Sequence, residues 1–340
     1  MSSQGKRYVG VDLHHDSFVV CVRGGSGQQL RRWTMSAMAE FASSLRKDDA
    51  LAVEATGNTR WFCAQVARAV GRVVVVNPHQ FRVISQSVKK TDRRDAALLA
   101  EYLEKDLLPE VRQKTDQESA VAQMAGSRDQ LVKMRTMLKN QVHGLLRSHG
   151  VLVSKQQLAS RKGQTQLREG VLPQLATTQR DVLLEQIAAL NQGIRQLERS
   201  LADAARQLPG YHSLISIKGI GRLSSAILLS SIGRVQDFAD AGKLAAYFGL
   251  VPRVEQSNQS QHRGRITRQG NKLARTTLVQ CVLVAKRYNP FLQSFYTRIR
   301  QRRGTGKAIV ATARKLLTIV YYTLKNNWVF SDFGNAALAE

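Results

Sequence analysis

Cysteine is scarce in this chain. The three in 340 residues, Cys21, Cys63 and Cys281, are too few and too scattered for a disulfide framework or a zinc cluster. They read as packing residues, and their scarcity favours a cytoplasmic setting. No apolar run approaches the roughly 18 residues of a membrane span. The start, Met1-Ser2-Ser3-Gln4-Gly5-Lys6-Arg7, lacks the apolar core of a signal segment, so no membrane partner is expected. Aromatic residues make up only 6%. Stacking is therefore not expected as the main mode of binding, and Trp33, Trp61 and Trp328 read as core residues. Acidic residues are few beside basic ones: 25 Asp+Glu against 51 Lys+Arg, a formal net charge of +26 and a pI of about 10.7. Such a balance argues against an acidic or neutral metabolic enzyme and fits a polyanionic partner. The hydrophobic share of 43% is enough for real cores, so the chain is not a disordered basic tail. Its length suits two domains, with room for a connector.

The charge is uneven. Residues 1–110 hold 16 basic and 12 acidic side chains, residues 111–210 hold 15 and 8, and residues 211–340 hold 20 and 5. A front segment that keeps its carboxylates in a protein built for a polyanion has a use for them, most simply on a metal ion.

The predicted class is α/β followed by all-α. From Tyr8 to Val76 the order reads β-β-β-α-β-α-β, hairpins first, and a helix follows over about 92–104 with Thr91 as its N-cap. Apolar residues then recur at three-to-four spacing, as at Leu131, Met134, Leu138, Val142 and Leu145, and again from Leu183 to Leu201. This predicts an antiparallel hairpin of two long helices over 116–148 and 175–207. After Pro209-Gly210 come a helical hairpin over 211–232, a helix over 236–248, an irregular polar loop over 250–270, and basic helices over 271–287, 290–301 and 305–326.

Three groups of residues carry chemistry. Asp12 interrupts an apolar strand, Glu54 ends another, and Asp92 and Asp95 are three apart, a spacing that puts both on one helix face. Asp92 and Asp95 also suit a helix N-terminus on their own. Clustered carboxylates are costly unless a cation compensates. Mg²⁺ or Mn²⁺ takes such oxygen ligands, and two such ions about 3.5–4 Å apart can clamp a phosphodiester. The second group is Ile217-Lys218-Gly219-Ile220-Gly221-Arg222, hydrophobic–Gly–hydrophobic–Gly between apolar helices. It resembles a helix-hairpin-helix, in which glycines and a free helix N-terminus approach a phosphate. The third is the polar stretch 249–272, with Arg253, Arg263, Arg265, Arg268 and Lys272 around Ser257 and Ser260. A serine among cations could attack a phosphodiester, although most loop serines are turn residues. His14-His15 lacks Cys or His companions at metal spacing and reads as a turn. Arg303-Gly304-Thr305-Gly306-Lys307-Ala308 lacks the leading Gly and closing Ser/Thr of a phosphate-binding loop.

In order along the chain, Val9-Gly10-Val11-Asp12, Glu54-Ala55-Thr56-Gly57, Lys90-Thr91-Asp92-Arg93-Arg94-Asp95, Gly219-Ile220-Gly221, Phe248-Gly249-Leu250-Val251-Pro252 and Ile266-Thr267-Arg268-Gln269-Gly270-Asn271 resemble the DEDD transposases of insertion sequences. That family includes the Piv-type invertases and bridge-RNA-guided recombinases, and the likeness covers nearly the whole chain. It implies a RuvC-like (ribonuclease-H-like) domain over 1–112, a helical, coiled-coil-like connector over 113–207, and a mainly helical transposase domain over 208–330 containing the helix-hairpin-helix. It makes Asp12, Glu54, Asp92 and Asp95 the metal-binding acids and Ser257 the nucleophile, with Asn258 where the family usually has Gly, and Ser260 as the neighbouring candidate. It further implies DNA strand breakage and rejoining through a covalent protein–DNA intermediate. Donor and target DNA, an element-encoded structured guide RNA, and a homo-oligomer (dimer or tetramer) sharing composite sites are the implied partners, in the bacterial cytoplasm at the nucleoid. The competing reading is a RuvC-like nuclease or junction resolvase that uses water.

Overall fold

The computed structural model describes residues 6–25, 27–78, 80–81, 91–257 and 260–330. They form two compact units, residues 1–113 and 114–340.

The first unit is built on a five-stranded sheet: β1 (Tyr8–Leu13), β2 (Ser17–Gly24), β3 (Gly27–Thr34), β4 (Ala50–Glu54) and β5 (Arg72–Val76), in the order β3-β2-β1-β4-β5. The hairpins β1–β2 and β2–β3 are antiparallel, while β4 lies parallel to both β1 and β5. Arg7 pins the start of this pairing, since its Nη2 lies 2.6 Å from the buried Asp49 Oδ2. The helices are α1 (Met38–Ser44), α2 (Thr59–Val66) and α3 (Asp92–Glu104).

Strand alternation sorts β1 onto two faces. Val9, Val11 and Leu13 join Phe18, Phe41 and Phe62 in the core that includes α1 and α2. Phe18 meets Phe41 and Phe62 edge-on, with centroids 5.0 and 5.4 Å apart. Gly10 and Asp12 point the other way, toward α3. At Gly10 the approach is too close for any side chain: a Cβ would fall 2.1 Å from the Ala96 carbonyl oxygen and 2.4 Å from the Ala100 nitrogen. Ala96 and Ala100 are fully buried there. Thr91 caps α3, its Oγ1 accepting from the Arg94 N–H, so the helix begins with Asp92 and Asp95 in its first turn.

The second unit opens with α4 (Asp116–Ser148), which starts at a Thr115–Glu118 capping box. Two short helices, α5 (Lys155–Ala159) and α6 (Arg161–Glu169), lead to α7 (Gln174–Arg206). Arg128 reaches Glu198 and Arg135 reaches Asn191, so α4 and α7 run antiparallel, each 33 residues and about 50 Å long. The far end closes on Val142, Leu146, Leu158, Leu184 and Ile187. At the near end Val121, Ala125, Leu201 and Ala205 share a core with the helices that follow. Those are α8 (Tyr211–Ser216), α9 (Arg222–Ile232), α10 (Ala241–Tyr247), α11 (Lys272–Tyr288), α12 (Pro290–Arg303) and α13 (Thr305–Lys325).

One expectation fails. The stretch 250–270 is not an irregular loop: β6 (Pro252–Ser257) and β7 (Ser260–Ile266) pair antiparallel, with Glu255 opposite His262 and Gln256 opposite Gln261. The pairing is made by backbone groups between polar residues, so it leaves no apolar alternation to read.

The Gly10 contact is directly testable. Gly10→Ala should lower unfolding stability by about 1–3 kcal/mol, as overpacking does, read as a shifted denaturation midpoint. An unchanged midpoint would show that α3 does not rest on β1 in this way.

Candidate functional site

The β1–β4 register, which sets Val11 beside Val53, brings Asp12 level with Glu54 at the end of the next strand. Asp12 faces the first turn of α3. Between the two lies an unexpected member, His14: its Nε2 is 3.2 Å from Asp12 Oδ2 and 3.3 Å from Asp92 Oδ2. One ligand atom from each of Asp12, His14 and Asp92 falls within 4.8 Å of the others. Burial pushes the Asp12 carboxyl above the usual carboxylate range, and Asp95 and Asp92 add to the shift while His14 opposes it. Asp95 is itself buried, 5% exposed.

This arrangement fits a divalent cation, which would offset the crowding that raises Asp12 and accept both carboxylate and imidazole ligands. Of the four expected acids, Asp12 and Asp92 converge, while Asp95 acts on Asp12 electrostatically from the same turn of α3 and Glu54 ends the strand beside that of Asp12. His14 was expected to serve a turn. Its backbone does so, its N–H donating to the Ser17 carbonyl at 2.9 Å, but its ring joins the acids. The signal for this was the i, i+2 spacing from Asp12, which puts the two side chains on one side of an extended segment.

Beside Asp92 a cleft of about 430 Å³ is lined by Arg31, Arg32 and Arg93 together with Thr91 and Val19. Arg31 lies over the Trp33 ring, 3.8 Å from its centroid, and Arg32 donates to Ser17 Oγ. Of the tryptophans expected in the core, only Trp33 is buried; Trp61 and Trp328 are 47% and 42% exposed. Helix α2 turns Thr59, Phe62, Cys63 and Val66 inward, which leaves Trp61 on its outer side. The cysteines are buried as expected, and burial raises the thiols of Cys21 and Cys63 to about 11.

In the second unit, Ile217 and Ile220 are buried and hold the turn between α8 and α9, leaving Lys218 and Arg222 exposed. The two glycines of this turn differ in role. Gly219 has φ +108° and sits against α11, where a Cβ would lie 2.6 Å from the Ala285 nitrogen. Gly221 is the N-cap of α9, and nothing lies within 4 Å of where its Cβ would be, so the helix N-terminus is open. Lys218 Nζ lies 5.6 Å from the centroid of the Tyr288 ring.

The β6–β7 hairpin stands on a crossing of two glycines. Gly249 and Gly270 both have positive φ, and Cβ atoms there would fall 2.2 Å from the Gln269 oxygen and 2.0 Å from the Tyr247 oxygen. Arg275 donates to the Phe248 and Gln269 carbonyls, and Asn271 caps α11 while reaching Ser231. Arg253, Arg265, Arg268 and Lys272 are exposed around this base. Ser257 ends β6, its backbone paired with Ser260. Asn258 and the side chains of residues 254–263, including Ser257 and Arg263, lie outside the described residues. Among the described residues, no helix is long and apolar enough to cross a membrane.

A carboxylate–imidazole cluster on a mixed sheet, in a chain of net charge +26, fits a metal-dependent enzyme that acts on a polyanion. Residues 211–297 match the Transposase IS116/IS110/IS902 family, and residues 9–150 match a DEDD transposase family of IS110 type. The transposase of insertion sequence element IS1111A from Coxiella burnetii is 24% identical over 331 residues, covering 94% of this chain and 89% of that protein. The pilin gene-inverting protein of Moraxella bovis is 28% identical, covering 96% and 98%. Its counterpart in Moraxella lacunata is 30% identical over 269 residues, covering 76% and 74%. The chain belongs to the IS110-type DEDD transposases and is an enzyme of DNA transposition or recombination.

Two measurements probe the acid cluster. Removing even an outer partner of a metal ligand costs about 10–100-fold in affinity. His14→Ala should therefore weaken Mn²⁺ binding at least about tenfold by calorimetry, and unchanged affinity would remove His14 from the ligand set. Asp12 is held above its usual range, so at neutral pH its charge works against folding. Asp12→Asn should raise the melting temperature in ion-free buffer while it weakens cation binding; a lowered melting temperature would mean that the carboxylate is compensated within the protein.

Proposed function

We propose that the protein is a site-specific DNA transposase that cuts and rejoins strands with Ser257 as nucleophile and with Asp12, Glu54, Asp92, Asp95 and His14 around Mg²⁺ or Mn²⁺. The carrying observation is the convergence of Asp12, His14 and Asp92 on one point in a chain of this family. The strand order β3-β2-β1-β4-β5, with acids on the first and fourth strands and on α3, supports a ribonuclease-H-like reading of residues 1–112. Residues 113–207 then serve as the connector and residues 208–330 as the transposase domain.

A cation held by the acid cluster supplies electrostatic stabilisation of the phosphate oxygens during displacement. The Ser257 hydroxyl attacks phosphorus, the Oγ–P bond forms, and one DNA hydroxyl leaves. Rejoining reverses the exchange with a hydroxyl from another strand, so the bond energy is kept in the protein–DNA ester. The glycine crossing at Gly249 and Gly270 gives the hairpin a stiff base, which favours a positioned nucleophile over a mobile one. Arg253, Arg263, Arg265, Arg268 and Lys272 neutralise the surrounding phosphates, and Lys218, Gly221 and Arg222 hold backbone at the open N-terminus of α9. Gly219 shapes that turn from its place against α11. A structured RNA from the element selects donor and target DNA, and the protein works as a homo-oligomer.

Incubating protein, RNA and labelled DNA with Mg²⁺ should give an SDS-resistant protein–DNA adduct that Ser257→Ala abolishes. An adduct that survives Ser257→Ala overturns the assignment of the serine. Free DNA ends with no adduct would instead point to water as the nucleophile.

A further inference from the structure

A second cleft opens beside the acid cluster, on the His14 side. It has a volume of about 500 Å³ and is lined by Leu13, His14, Met35, Gly57, Asn58 and Trp61 among others. We propose that this cleft seats an unpaired nucleobase of the DNA strand being cut, stacked on Trp61, with the phosphate of that nucleotide at the Asp12–His14–Asp92 cluster. The inference rests on the phosphodiester chemistry proposed above and adds a subsite to it.

Four observations carry it. His14 belongs to both the cluster and the cleft wall, so an occupant of the cleft adjoins whatever the cluster holds. Trp61 is nearly half exposed in this wall, although α2 buries Phe62, Cys63 and Val66; a large ring left open next to a phosphate-handling site suits a stacking platform for a base. Gly57 keeps the mouth clear. Its backbone is outside the left-handed region and nothing lies within 4 Å of where its Cβ would be, so the fold does not call for glycine there. Lastly, Asn58 and Thr56 in the wall are engaged with the protein. Asn58 Nδ2 donates to the His14 carbonyl at 2.8 Å, and Thr56 Oγ1 donates to Asn58 Oδ1 at 3.0 Å. With those groups occupied, the cleft recognises the face of a base more than its edge, and it accepts any base.

A base inside a duplex has both faces covered by its neighbours, so the occupant must be unstacked. The arginine cleft on the Asp92 side supplies cations for the backbone running away from the cluster. The strand thus crosses the acids between an arginine side and a tryptophan side.

The probe is a single-stranded thymidine oligodeoxynucleotide carrying one 5-iododeoxyuridine, bound to the full chain in Ca²⁺ buffer, irradiated, and mapped by mass spectrometry. A cross-link at Trp61, retained when the labelled base is placed in other sequence contexts, is expected. Trp61→Ala should weaken binding about tenfold, as loss of one stacked base does, and Trp61→Phe should restore most of it. Gly57→Leu, whose Cβ would have nothing within 4 Å, should fill the cleft and weaken binding comparably at an unchanged melting temperature. Cross-links confined to other peptides, or a Trp61 cross-link formed with the equivalent RNA and not with DNA, overturn the proposal. Ser257→Ala separates the two readings, because it should keep the Trp61 cross-link while losing the protein–DNA adduct. Cutting with a serine adduct but no Trp61 cross-link removes the base seat and leaves the proposed chemistry standing.

Discussion

The contact on which the acid site depends is the one between β1 and α3 at Gly10. With no side chain there, the α3 backbone comes down onto the strand at Ala96 and Ala100. The first turn of α3 then overhangs the end of β1, where Asp12 sits two residues beyond the glycine. Asp92 and Asp95 reach Asp12 through helix geometry alone, once the helix is that close and starts where Thr91 caps it. A Cβ at position 10 would separate helix from strand, and three carboxylates would cease to share one site. The price of this closeness is electrostatic: burial and two neighbouring carboxylates raise Asp12, and His14 is the group that offsets them from within the chain. The imidazole lies beside the converging carboxylates, close enough to share with them a divalent cation held there.

The same device recurs in the second unit for a different purpose. Gly249 and Gly270 take left-handed backbone conformations and cross at distances that exclude a Cβ on either. Arg275 then ties both flanking segments together through their carbonyls. The result is a two-stranded hairpin, marginal in isolation, that is anchored at its base by packing. Gly219 packs on Ala285 in the same manner, so α11 supports the exposed turn at Lys218 as well as the hairpin. Motif residues that looked like chemistry thus divide into two kinds. Gly10, Gly219, Gly249, Gly270 and Asn271 build, whereas Asp12 and Asp92 meet at the acid cluster and Lys218, Gly221 and Arg222 stay exposed.

Much of the fold was legible because it follows period and punctuation. The β-rich runs at β1 and β4, the Thr91 cap, and the three-to-four repeats of α4 and α7 all correspond to observed elements. The hairpin over 252–266 was not legible, since its strands are mostly polar, pairing Glu255 with His262 and Gln256 with Gln261, and carry no sustained alternation. Trp61 was misread because composition cannot tell which face of a short helix is buried; only the inward set of Thr59, Phe62, Cys63 and Val66 decides that. Asp12 and Asp92, which converge, were legible as residue types at telling positions. His14 was not, because a histidine beside a turn has an ordinary explanation until a third element, α3, brings Asp92 to within 3.3 Å of it.

The net charge can now be placed. The first unit is not simply less basic than the second, for it keeps opposite charges in adjoining places: arginines 31, 32 and 93 in one cleft and a carboxylate–imidazole cluster at its edge. Cations alone would bind a phosphate backbone and hold it in its ground state. Carboxylates alone would repel it. A phosphate approaching this surface is drawn by the arginines to a point where its own charge opposes the acids unless a divalent cation stands between them. In the proposed reaction, the cation is what lets the substrate and the carboxylates share the site, and the positive excess brings the backbone to a place that the acids, without the ion, would keep empty.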